Sequence, residues 1–370
     1  MARAHYYVDY QNGNDTTGNG SSGTPWKTIQ KALDAAAEGA DGTQINLRDN
    51  AAHVTAAALD RTTYVATNGA VSLTQPIIFR GYTSAADDGG RATITVGGNY
   101  RLFAATNYDF QWLVDLTIDG HTGALVDTVY LQNSAVVLRC KVTGAGQYKL
   151  RVNNNCVVAG CYISGSEFSA TTSYCLYVNS ASILYGNWIN FAGHNVGIFA
   201  GTNVSVIGNV VVNAAAGESG RGITFGASSM VIGNTVYSNA GTGEGIANDT
   251  SSENAIVVNN LVVGFSGTGG DGIVNGNGLG NIALHNALYN NATNLTAGDI
   301  GLSEGNDVLS GNPFVDAAGG DYDISGAVAG LTEDAWPQSW PGLTTATTPK
   351  ADKGAAQAGA ATANLLRGKL

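Results

Sequence analysis

The chain has 370 residues, 28 acidic and 17 basic side chains, and a formal net charge of -11. Charged residues make up 12% and apolar ones 44%; this excludes disorder, which needs high charge and low hydrophobicity. The 51 glycines come with only 6 prolines and no period of three, which excludes collagen, while the acidic balance argues against a nucleic-acid partner and the lack of a long apolar run against membrane insertion as a helix.

The start, Met1-Ala2-Arg3-Ala4-His5-Tyr6, lacks the apolar stretch of a secretory signal peptide. Thr24-Pro25 reads as a helix start, with threonine as cap and proline in the first turn. Trp26, Ile29, Leu33 and Ala36 then recur at three and four residues as one apolar stripe, ended by Gly39. Residues 1–42 therefore read as an N-terminal arm and capping helix. The first strands are expected around Ile45, Val65, Ile77-Ile78-Phe79 and Ile94 to Val96.

From there a repeat dominates. Val137-Leu138-Arg139-Cys140-Lys141-Val142-Thr143 reappears as Val158-Ala159-Gly160-Cys161-Tyr162-Ile163-Ser164, as Leu184-Tyr185-Gly186-Asn187-Trp188-Ile189-Asn190 and as Val206-Ile207-Gly208-Asn209-Val210-Val211-Val212. Further copies centre on Asn234, Asn260 and Asn286, with a weaker first copy at Leu116; the spacings are 24, 21, 26, 22, 25, 26 and 26 residues. A second track of short strands begins at Leu150, Leu176, Ile198, Ile223, Ile246 and Ile273, the last four each preceded by glycine. Each repeat reads strand, polar turn, strand, glycine-rich loop. Two or three short strands cannot bury a face alone, so successive coils must stack at ~4.8 Å. The expected fold is an all-β, single-stranded right-handed parallel β-helix, a solenoid of about eleven coils over residues 43–325. The asparagines at 187, 209, 234, 260 and 286 are expected to form an internal ladder, with Cys140 and Cys161 in the same column lower down. The four cysteines, at 140, 156, 161 and 175, contain no CxxC pair and read as buried free thiols. After about residue 300 the pattern loosens, and residues 326–370 read as loops and a tail.

The segment Tyr6-Tyr7-Val8-Asp9, Asn12-Gly13-Asn14-Asp15, Gly18 and Thr24-Pro25-Trp26-Lys27-Thr28-Ile29-Gln30-Lys31-Ala32-Leu33 resembles the N-terminal signature of the pectate-lyase-like superfamily of right-handed parallel β-helix proteins. Asn312-Pro313-Phe314-Val315-Asp316, Asp321-Tyr322 and Asp352-Lys353-Gly354-Ala355 resemble the C-terminal end of its environmental bacterial and phage members. The resemblance implies a fold more than a chemistry, because the group includes lyases, hydrolases, epimerases, tailspikes and non-catalytic surface proteins. The motif set of its polygalacturonase-like hydrolases is not reproduced: Asp87-Asp88 lies in an early loop, and Gly193-His194-Asn195 lacks the second glycine. Between residues 152 and 349 the only Lys or Arg is Arg221, so a base-rich groove for polyuronate is absent there.

Two columns of candidate site residues remain. Outward positions of the second track read Tyr130, Arg151, Tyr177, Phe199 and Thr224, and aromatic planes on a sheet face suit sugar rings. Tyr130, Arg151, Tyr174, Tyr177 and Phe199 are the glycan-binding candidates. The loops entering these strands add Tyr148, Lys149, Tyr174, His194, Glu218, Arg221, Glu244 and Asp271. Arg221, Glu244 and Asp271 occupy successive positions of one column, and with His194 they are the catalytic candidates, as a carboxylate pair or as a base beside a stabilising arginine. A surface salt-bridge ladder is the plain alternative, and His194 alone reads as a solvated loop residue. No cofactor is expected, although Gly269-Gly270-Asp271-Gly272 and Gly319-Gly320-Asp321-Tyr322-Asp323 echo fragments of calcium loops. The expected function is that of an extracellular or virion-associated β-helix protein of tailspike, fibre or capsid-decoration type, structural or glycan-binding. It would act as a homo-oligomer, for instance a trimer, with virion proteins or surface polysaccharide as partners. The alternative is a polysaccharide lyase or glycoside hydrolase acting in a groove on the β-helix face.

Overall fold

The computed structural model describes residues 3–35, 41–60, 75–103, 110–120, 127–164, 173–249, 253–275, 280–297, 300–317 and 321–324. The expected strand at Val65, the helix end at Ala36 and Gly39, and the whole 326–370 segment lie outside these residues. The chain divides into two compact units, Met1–Tyr177 and Val178–Leu370. Each is a parallel β-solenoid whose strands fall on three sheets, with almost no helix among the described residues.

In the first unit one sheet runs from Ala4–Val8 to Val157–Ala159 and a second from His53–Thr55 to Tyr162–Ser164. The third sheet starts only at Val129–Leu131 and continues with Tyr148–Asn154; the division between the units falls within its next strand, Tyr174–Ser180. Ahead of it, Leu59 and Phe103 hold the third side through an isolated parallel bridge. The second unit adds five more third-sheet strands, Val196–Thr202, Arg221–Phe225, Glu244–Asn248, Asp271–Asn275 and Thr293–Ala297. Among the described residues, coils with three regular strands are thus fewer than the expected eleven.

The helix is shorter than its stripe. α1 spans Ile29–Ala35, with Ile29, Ala32 and Leu33 buried, and packs against Ala4–Val8. Thr24 and Pro25 do not start it. Trp26 bridges Val8, and Asp15 accepts from the Lys27 and Thr28 amides at 2.7 and 3.0 Å. Thr28 is the true cap, its hydroxyl accepting from the Lys31 amide at 3.2 Å. The Asp15 turn holds the chain extended through Trp26, which delays the helix by one turn.

The asparagine ladder is present in the second unit. Oδ1 of Asn209 accepts from both the amide and the Nδ2 of Asn187, at 3.0 and 2.9 Å. Asn234 does the same for Asn209, Asn260 for Asn234, and Asn286 for Asn260. Asn306 extends the row, taking both donors of Asn286. The residue before each ladder asparagine has positive φ: 61° at Gly186, 62° at Gly208, 63° at Gly233, 57° at Asn259 and 53° at His285. That left-handed step turns the corner between the first and second sheets and points the next side chain inward. In the first unit Cys140 and Cys161 stand at this corner on adjacent rungs, since Lys141 pairs with Tyr162; all four cysteines are free and buried.

The inward leucines and isoleucines of the third sheet are fully buried from Leu150 to Ile246. Glycine precedes Ile223 and Ile246 because a Cβ on Gly222 or Gly245 would lie 2.3 Å from a valine methyl of the second sheet. Beyond the last rungs, Phe314–Asp316 and Asp321–Ile324 form an antiparallel hairpin within the segment expected to continue the solenoid. Phe314 and Tyr322 cover the outward side of the second sheet, packing on Val210, Val212, Leu261 and Val263.

Replacing Asn234 by alanine strands the Asn209 donors and the carbonyls of Val206 and Ile232 in the core. The expected loss is about 2–4 kcal/mol of unfolding free energy, read by urea denaturation, whereas alanine at the exposed Asn239 is expected to cost a small fraction of that.

Candidate functional site

The third sheet of the first unit carries a dense cluster of aromatic and charged side chains. Arg151 pairs with Tyr130 in register, and Tyr177 follows in the same outward position on the next strand. A second column, at the strand entry, holds Tyr148 and Tyr174. Their rings stack at 5.2 Å and 12°, so they stand out from the sheet like adjacent pages. Tyr177 meets both edge-on at 5.5 Å. The Arg151 guanidinium lies over Tyr130, Tyr148 and Tyr177 at 4.9, 5.3 and 5.2 Å. Arg101 covers Tyr130 at 5.1 Å, and Asn153 donates to the Tyr130 hydroxyl at 2.9 Å. All four tyrosines remain partly exposed.

The cluster is anchored by Asp127. Its carboxylate is buried, 3.2 Å from Arg101 Nε and 3.9 Å from Arg151 Nη1. Burial raises its pKa, and the two guanidinium groups pull it back down. Burial also raises the Tyr148 hydroxyl, with Arg151 opposing and Asp127 and Tyr177 reinforcing. One carboxylate against two arginines leaves one positive charge among four phenols. Ring faces are used by neighbouring rings and by guanidinium groups, so the surface offers hydroxyls, ring edges and cationic donors more than open aromatic planes. Neither Asp127 nor Arg101 was a sequence candidate. Asp127 stands two residues before Val129, as Tyr148 stands before Leu150 and Tyr174 before Leu176, so the column carried its signal; Arg101 comes from outside the repeat and carried none.

The remaining candidates lie in the second unit. Phe199 is partly exposed and pairs with Thr224. Arg221, Glu244 and Asp271 do share a column: Ile223 pairs with Ile246, Glu244 pairs with Asp271, and Arg221 Nε forms an ion pair with Glu244. With Arg221 43% exposed, this pair is worth at most about 1 kcal/mol. His194 is not solvated: it is 3% exposed and its amide closes a turn onto the Phe191 carbonyl at 2.8 Å. The turn at Gly193 takes the imidazole under the surface, and Val196, two residues on, is the residue that pairs with Arg221. Among the described residues no three His, Cys, Asp or Glu side chains gather as metal ligands do. Asp271 faces Glu244 from a regular strand, and Gly319 and Gly320 lie outside the described residues. Nor is any described helix long and apolar enough to cross a membrane.

The family model "Right handed beta helix region" matches residues 110–262. The pectate lyase Pel9A superposes with a TM-score of 0.65 at 13% identity, over 97% of this chain and 97% of that one. The fold is a right-handed parallel β-helix. XylC, solved in complex with xylose, superposes on this β-helix with a TM-score of 0.53 at 10% identity, over 79% of this chain and 69% of that one. No curated protein matches the chain in sequence. At such identities the likeness speaks for the β-helix fold alone.

Beneath the tyrosines lies Lys149, fully buried, its Nζ donating to the carbonyls of Gly144 and Gly146. Burial pushes its pKa down to about 8 from 10.5, with Cys175 opposing. Below about pH 8 both folded and unfolded chains hold this proton; between about pH 8 and 10.5 the unfolded chain holds more, so stability rises with pH through that window. Measured against Lys149→Met, wild-type protein is expected to gain about 1 kcal/mol between about pH 7 and about pH 9. Paired urea melts would show it.

Proposed function

We propose that this β-helix binds carbohydrate through the third-sheet surface of the first unit, with Tyr130, Tyr148, Arg151, Tyr174 and Tyr177 as contact residues and Asp127 and Arg101 as their support. The observation that carries the reading is the partly exposed cluster of four tyrosines on one parallel sheet, three of them around the Arg151 guanidinium and the fourth, Tyr174, stacked on Tyr148. Sugars present many hydroxyls at fixed spacing, and phenol hydroxyls and guanidinium N–H groups are well matched to them. A sheet whose rungs repeat at ~4.8 Å suits an extended chain of sugars better than a single small molecule. The setting we propose is extracellular or on a virion surface, where a low-charge β-helix meets polysaccharide; structural association with other virion proteins is compatible with the same role.

A second reading, polysaccharide cleavage in the second unit, draws on the register of Glu244 and Asp271. Adjacent rungs place two carboxylates at about the spacing of a retaining glycosidase pair. Against it stand the ion pair that occupies Glu244 and the burial of His194.

On a glycan array the protein is expected to bind at least one surface polysaccharide, and calorimetry should show roughly tenfold to hundredfold weaker binding for Tyr177→Ala and for Arg151→Ala with thermal stability retained. Binding that is absent across the array, or unchanged in both variants, defeats the reading. The cleavage reading requires new reducing ends or unsaturated products on incubation with polysaccharide, lost in Glu244→Gln.

A further inference from the structure

The first sheet of the second unit presents an aliphatic outer face. Its strands are Ile183–Tyr185, Ser205–Ile207, Met230–Ile232, Ile256–Val258, Asn281–Leu284 and Ile300–Glu304. The middle residues Leu184, Val206, Val231 and Val257 are buried in the core, so their neighbours face outward. Register aligns Ile183, Ser205, Met230, Ile256, Ile282 and Leu302 in one outward column. The parallel column runs from Tyr185 through Ile207, Ile232, Val258 and Leu284 to Glu304, and Val258 within it is buried, so the ribbon is most open on its first and last rungs. Ile183, Tyr185 and Leu302 are 46%, 47% and 46% exposed. An antiparallel or solvent-facing sheet normally alternates apolar inside with polar outside, and large exposed aliphatic patches mark contact surfaces.

We propose that this ribbon is a self-association surface that takes a second copy of this chain, face to face with the strand stacks running in opposite directions. Three features select that occupant. The molecule carries a net charge of -11, yet the two columns hold a single charged side chain, Glu304, so identical copies meet here with the least repulsion. An identical ribbon has the same rung spacing of ~4.8 Å, so side chains of one copy seat between rungs of the other. The opposed arrangement brings the last rung of one copy against the first rung of the other, which sets Glu304 against the Tyr185 hydroxyl; the parallel arrangement would bury Glu304 against Leu302. Six rungs with their flanking turns offer roughly 25 by 20 Å per copy, on the order of 1,000 Å² in total, the lower bound for a specific dimer. Twofold closure satisfies both ribbons at once.

Sedimentation velocity on the full chain, from low to high micromolar, is expected to show a monomer–dimer equilibrium. Ile256→Lys should raise the dimer dissociation constant at least about a hundredfold, because it buries an unpaired ammonium. Circular dichroism would check that the variant folds. A second measurement does not depend on that variant: Met230→Cys mixed with Ile256→Cys should form a mixed disulfide dimer under mild oxidation, in preference to either homodimer. A wild-type monomer at all concentrations overturns the proposal. So does a dimer indifferent to Ile256→Lys, or a dimer that forms only after the segment beyond residue 324 is removed, which would assign the ribbon to the chain's own tail.

Discussion

In a parallel coil no strand can satisfy its own backbone; every N–H and C=O must be met by the coil before or after it. The corner between the first and second sheets tests this hardest, because the chain turns there in one left-handed residue and leaves polar groups facing the core. In the second unit the asparagine row answers it. Each Oδ1 takes two donors from the preceding rung, and each Nδ2 is spent on carbonyls such as those of Val206 and Ile232. In the first unit the same corner holds Cys140 and Cys161, whose thiols donate weakly to backbone carbonyls. Support there comes from outside: Asp115 and Arg139, themselves the left-handed residues of successive rungs, form a two-point ion pair at 2.7 Å. One geometric demand is thus met by buried amides in one unit and by a buried carboxylate paired with a half-exposed arginine in the other.

The coil repeat was legible because a one-rung displacement in space is a near-constant displacement in sequence. Asn187 to Asn286 keep spacings of 22 to 26 residues, whereas Asn306 follows after 20 and escaped that pattern although it completes the row. The helix start was misjudged for a local reason. Thr24-Pro25 has the right residues for a cap, but Asp15, distant in sequence, captures the next amides and moves the start to Thr28. The coil number was overestimated because the early coils close their third side with the Leu59–Phe103 bridge in place of regular strands. At the site, column membership could be counted from strand starts, and Tyr130, Arg151, Tyr174 and Tyr177 do assemble. Ring orientation could not be counted. It follows from stacking across one rung, where 5.2 Å suits two parallel phenols and turns their faces away from solvent. The burial of His194 likewise follows from how its turn packs and not from residue type.

The same two columns of the third sheet carry different chemistry in the two units. At the strand entry, Asp127, Tyr148 and Tyr174 in the first unit correspond to Val196, Arg221, Glu244 and Asp271 in the second. At the outward position, Tyr130, Arg151 and Tyr177 correspond to Phe199, Thr224, Ala247 and Val274. Since the backbone of every rung is alike, affinity for any ligand is set by these side chains alone. Among the described residues, only the first unit combines phenols, guanidinium groups and a buried carboxylate on this sheet. The Arg221–Glu244 pair is satisfied internally and leaves less free hydrogen-bonding capacity for a ligand.

Short strands with three apolar residues in succession need cover on both faces, one of them outside the solenoid interior. Leu261-Val262-Val263 in the second sheet has it: Val262 faces the core, while Leu261 and Val263 are buried beneath Phe314 and Tyr322 of the C-terminal hairpin. Met230-Val231-Ile232 in the first sheet has the same composition, and its two outward side chains stay partly exposed. The hairpin shows how this chain treats an aliphatic outer face: it lays another polypeptide segment across it, with tightly packed aromatics at the contact. Aliphatic side chains recruit protein far better than they recruit sugar, which needs hydrogen-bonding groups beside the apolar surface. The proposed partners follow the same division, glycan at the phenol and guanidinium face and polypeptide at the aliphatic ribbon.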